Sequence, residues 1–163
     1  MRGYGKPYVE IWSPRAGLLD DAEAEFHETY TSGPPPLGPG APASDRLAAF
    51  GCALIERITD EGDLGAALAR QVPLDRRHAS GLGRAFHHHV ASLLREAGVK
   101  GDHDMLAHSM LALANFETVD YLRNEFQVST ARLQTTWVNL VRRVTAVDET
   151  APRGPGLRPE QRS

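Results

Sequence analysis

The chain has 163 residues, of which 41% are hydrophobic and 24% charged, with a formal net charge of −3 and a single cysteine. A length of this order suits one compact domain that buries about 70% of its unfolded surface, so a second full domain is not expected. The acidic balance argues against the broad electropositive face of a free-standing nucleic-acid binder, and no apolar run approaches the roughly 20 residues a membrane span needs. With Cys52 alone, no internal disulfide can form, which fits a reducing cytoplasm; the opening MRGYGKPYVEIWSPR lacks the apolar core of a signal peptide.

In chain order, residues 1–16 carry Gly3, Gly5, Pro7 and Pro14 without helical period and are expected to be irregular. Leu18, Leu19, Ala22, Phe26 and Tyr30 recur at helical spacing and predict a helix to about Tyr30. The following SGPPPLGPGAPA cannot propagate one, because proline lacks the amide proton and its ring clashes with the preceding turn. Ser44 or Asp45 then caps a helix whose stripe is Leu47, Phe50, Leu54, Ile55 and Ile58. Asp63 starts a shorter helix that Pro73 stops.

Leu82, Phe86, Val90, Leu93 and Ala97 predict the next helix, with Gly98 where a C-terminal glycine belongs. Asp102 caps a long helix, about Met105 to Glu125, whose Met105, Leu106, Met110, Leu113, Phe116, Val119 and Leu122 cover more than one face. Ser129 caps the last helix, to about Val147, with Val128 stapling onto Leu133 and a stripe of Leu133, Thr136, Trp137, Leu140, Val141 and Val144. Residues 148–163 hold three prolines and no aromatic, the composition of a disordered tail. The expectation is an all-α bundle of about six helices over residues 17–147.

Chemistry-bearing clusters are sparse. His87, His88 and His89 are consecutive, and side chains 100° apart on a helix cannot converge on one ion, so no metal site is expected. Cys52 lies inside LAAFGCALIERI and reads as a small core hydrophobe rather than a nucleophile. GLGR at Gly81 to Arg84 lacks the spacing of a phosphate loop, and no acid, base and nucleophile set emerges, so neither an enzyme nor a cofactor is expected. Asn115, Glu117 and Asp120 are polar positions within an otherwise apolar helix; buried, they need partners, and exposed, they are an ordinary solvated edge.

The stretch LLREAGVKGDHDMLAHSMLALANFETVDYLRNEFQVSTARLQTTWVNLVRRV resembles the last three helices of TetR-family transcription regulators. APASDRLAAFGCALIERITDEGDLGAALARQ is similar to the early helices of their sensor domain, so the resemblance covers about residues 17–146. It implies a homodimer pairing through its last two long helices, around a pocket for a small apolar or amphipathic effector. The DNA-reading helix-turn-helix module of the family has no counterpart before Leu18, so no direct DNA contact is expected from this chain.

On that reading the effector pocket is lined by Phe50, Leu54, Phe86, His89, Val90, Asn115 and Phe116, with His89 and Asn115 as polar anchors. The dimer interface draws on Phe116, Val119, Leu133, Trp137 and Leu140. The alternative is a standalone partner-binding protein that forms mixed dimers with full-length relatives.

Overall fold

The computed structural model describes residues 24–71 and 81–146, with the backbone alone for 63–71. Five α-helices are present among them: α1 (Ala43–Gln71), α2 (Gly81–Glu96), α3 (His103–Leu113), α4 (Phe116–Phe126) and α5 (Thr130–Thr145). No strand occurs among the described residues, and the all-α expectation stands. The expected irregular start, the disordered tail and the Pro73 helix stop lie outside the described residues.

Helix α1 is the central element, and α2, α4 and α5 all pack on it. Its buried stripe is Leu47, Phe50, Leu54 and Ile55, the 3.6-residue period of the sequence made physical. Gly62, at φ +40° and ψ −116°, interrupts the helical geometry immediately before the expected second start at Asp63. Ahead of α1, Phe26 leads into a π-helical turn, His27–Thr31, that places Phe26 and Tyr30 against the core.

The C-terminal half is punctuated as its residues dictate. Gly98, at φ +76°, closes α2 with amide bonds from Gly98 to Arg95 O and from Val99 to Leu94 O, the paired pattern of a Schellman cap. Asp102 accepts from the amides of Asp104 and Met105 at the start of α3, and Ser129 accepts from Arg132 at the start of α5.

One expected helix is two. The span from Met105 to Glu125 breaks at Ala114, and Asn115, in extended geometry, caps α4 by accepting from the Thr118 amide at 2.7 Å. The apolar period runs on across the break, which is why periodicity alone reads it as continuous. Asparagine followed by an acid in the next turn is nevertheless an N-terminal signature.

The α1–α5 seam is the most tightly built contact. Thr59 meets Thr130, Cys52 meets Gln134, and Leu47 meets Trp137, so the two helices run antiparallel. The Trp137 indole donates to Leu47 O at 3.0 Å and lies so close to Gly51 that a Cβ there would collide with the ring.

Candidate functional site

Three pieces of chain converge on His89. From α2 come His89 and, one turn earlier, Phe86; from α1 comes Phe50; from the π-helical region come Phe26 and Tyr30. Ring centroids of Phe50, Phe26 and Tyr30 stand 5.2, 5.5 and 6.2 Å from the imidazole, mostly edge to face. Such pairs each add about 0.5–1.5 kcal/mol beyond area burial.

His89 is only 7% exposed, and its Nε2 has no hydrogen-bond partner. Burial pushes its pKa down to about 4, helped by the charges of Arg46 and His88, so the ring is neutral near pH 7. Arg46 is itself buried; its Nη1 pairs with Glu96 at 3.2 Å, which ties the start of α1 to the end of α2, but its Nε has no partner. Native interiors satisfy nearly all buried polar atoms, so two unsatisfied ones on residues close enough for the charge of one to act on the other are unusual.

Tyr30 is shared with a second feature, an open pocket of about 510 Å³ lined by Glu25, Thr29, Tyr30, Ala53, Glu56, Arg57, Asp60 and Glu61. Four carboxylates face one guanidinium here. Arg57 bonds Glu61 at 2.8 Å and stands 3.8 Å from Glu25, and its pKa is raised first by the Glu61 hydrogen bond. Burial raises the Tyr30 pKa, Arg57 opposes this, and the hydroxyl stays protonated.

Of the residues expected to line an effector cavity, Phe50, Phe86 and His89 are brought together in the aromatic box. Leu54 and Val90 are buried in the core beside them, and Asn115 and Phe116 belong to the start of α4, with Asn115 engaged as its cap. None of these seven residues lines the open pocket. Sequence reasoning missed that pocket because its acids read as solvated surface. The signal was there: Ala53, Glu56, Arg57, Asp60 and Glu61 share one face of α1 at helical spacing.

Of the expected interface residues, Val119, Leu133 and Trp137 are buried in the chain's own core, and Phe116 and Leu140 are half-buried. Their apolar surface is used within the chain. Met105, Leu113, Tyr121 and Phe126 are the large apolar side chains that stand exposed among the described residues.

The remaining candidates resolve into structural roles. His87 bonds Asp104 O at 3.1 Å and stacks on His108 with centroids 4.1 Å apart, while His88 is exposed. Among the described residues no group of three metal-ligating side chains gathers. Burial, then the Glu56 charge, pushes the Cys52 thiol up, away from nucleophilic character. Asp120 accepts from Asn124 on the surface of α4. No helix among the described residues is long and apolar enough to cross a membrane. Compared with protein-family models, curated proteins and solved structures, the chain matches none.

Proposed function

We propose that the chain is the effector-binding and dimerisation domain of a TetR-like transcription regulator. The observation that carries this reading is the distribution of exposed apolar surface. Met105, Leu113, Tyr121 and Phe126 all belong to α3 or α4, within the segment that the family resemblance assigns to subunit pairing. Tyr121 and Phe126 are 55% and 61% exposed and pack on each other at 5.3 Å, an aromatic pair of the kind enriched at interface centres. A two-fold pairing lets one such patch serve both copies.

The effector half of the reading rests on the pocket beside Tyr30, whose volume of about 510 Å³ suits a small molecule. Its acidic lining replaces the mainly apolar one expected from sequence. Allosteric control then requires that effector and partner bias the same two states of the helical body.

Light scattering on the intact chain tests the pairing. Twice the 17.8 kDa chain mass is expected for the native protein. Tyr121→Glu with Phe126→Glu should return the single-chain mass with unchanged helicity. A native protein that stays monomeric at high concentration, or a variant that remains dimeric, overturns the proposal. Mixed dimers with a full-length relative, formed where self-pairing fails, would favour the standalone partner-binding reading.

A further inference from the structure

Two buried polar atoms, His89 Nε2 and Arg46 Nε, lack partners, and one side chain of the aromatic box around His89 also lines an open pocket. Tyr30 touches both: its ring packs on Phe50 at 5.1 Å and on Phe26 at 5.2 Å, while it also forms part of the pocket wall. Among the described residues its ring is held by packing on aromatic neighbours, while Arg57 and Glu25 lie near enough for their charges to act on its hydroxyl. The backbone that carries it is a π-helical turn, a geometry that recurs at functional sites. Turning the Tyr30 side chain outward brings the pocket up to the His89 box.

We propose that Tyr30 is a plug, and that the site behind it takes a neutral phenolic ligand whose ring replaces that of Tyr30 and whose hydroxyl bonds His89 and Arg46. The resting Tyr30 shows that a phenol ring fits against Phe26 and Phe50. A phenolic oxygen accepts from the Arg46 Nε–H and donates to a neutral His89 Nε2, filling both vacant valences at once. Leaving such groups unpaired inside a protein is destabilising, and the ligand relieves that cost.

Charge selects a neutral ligand. Glu25, Glu56, Asp60 and Glu61 at the entrance outnumber Arg57 and repel an anion. Farther in, Arg46 lies near enough to His89 for its charge to act there, and it disfavours a cation. The inference rests on the effector-binding half of the proposed function and is independent of the dimer interface.

The test uses 2-naphthol, 2-naphthoate and 2-naphthylmethylammonium as probes of one shape and three charges, titrated into the full chain by calorimetry at pH 7. Saturable binding is expected for 2-naphthol, at least about tenfold tighter than for either charged analogue. His89→Leu should weaken naphthol binding about tenfold or more while raising the Tm of the unliganded chain, because it removes an unpaired buried polar atom. Tyr30→Ala should tighten binding by removing the competing plug. No saturable binding of 2-naphthol, preference for a charged analogue, or full affinity in both folded variants would overturn the assignment. Light scattering on the same samples separates the outcomes: a dimer that does not bind naphthol sinks this inference alone, and a monomer that binds it sinks the pairing alone.

Discussion

Helices α4 and α5 both lie against α1, yet they treat their apolar residues in opposite ways. On α5, Leu133, Trp137 and Val141 are buried, and the exposed remainder is polar apart from Ala131, with Thr135, Asn139, Arg142 and Arg143 outward. On α4, Val119 alone is buried, while Tyr121 and Phe126 stand in solvent. One helix completes the fold of the single chain. The other leaves apolar side chains exposed, which is where the proposed partner would dock.

Substitutions on the two helices should therefore separate stability from association. The largest effect is expected at the seam: Trp137→Ala removes a buried indole and its bond to Leu47 O and should cost about 3–5 kcal/mol in chemical denaturation. Acid comes next. The native His89 pKa, near 4, lies below its unfolded value of 6.5, so between those values the unfolded chain binds more protons. Protonation of this group penalises the native state: the penalty is absent above pH 6.5 and grows as pH falls towards 4, to about 3 kcal/mol in all. His89→Leu should flatten that slope, and a denaturation series across pH 4–7 reads it directly.

Smaller effects sharpen the contrast. Asn115→Ala removes the α4 cap and should cost about 1 kcal/mol, lowering the denaturation midpoint without altering association through Phe126 at the far end of the helix. Tyr121→Glu with Phe126→Glu should change stability of the single chain least, within about 0.5 kcal/mol, because both side chains are already exposed. The same pair should abolish dimer formation.

The sequence carried the helices well because their apolar stripes are regular: Leu47, Phe50, Leu54 and Ile55 on α1, and Leu133, Trp137 and Val141 on α5, are buried as their spacing requires. Gly98 and Ser129 mark boundaries through local chemistry and were legible for that reason. What a stripe cannot encode is the identity of its partner surface. Trp137 and Tyr121 both sit on helices with apolar faces, and only the three-dimensional packing shows that Gly51 makes room for one while the other stays more than half exposed beside Phe126. The site was half legible for a similar reason. Phe50, Phe86 and His89 fall on core-facing positions of adjacent helices, whereas the period of Phe26 and Tyr30 marks an apolar helix face without showing that a π-helical turn brings that face onto His89.

The division of labour between α4 and α5 is tested most directly by a concentration series of amide NMR spectra of the intact chain. Concentration-dependent shifts are expected to cluster from Leu113 to Phe126 and to spare Trp137 and its neighbours on α5. Shifts centred on α5, or spectra unchanged over the whole series with the mass of a single chain throughout, would contradict it.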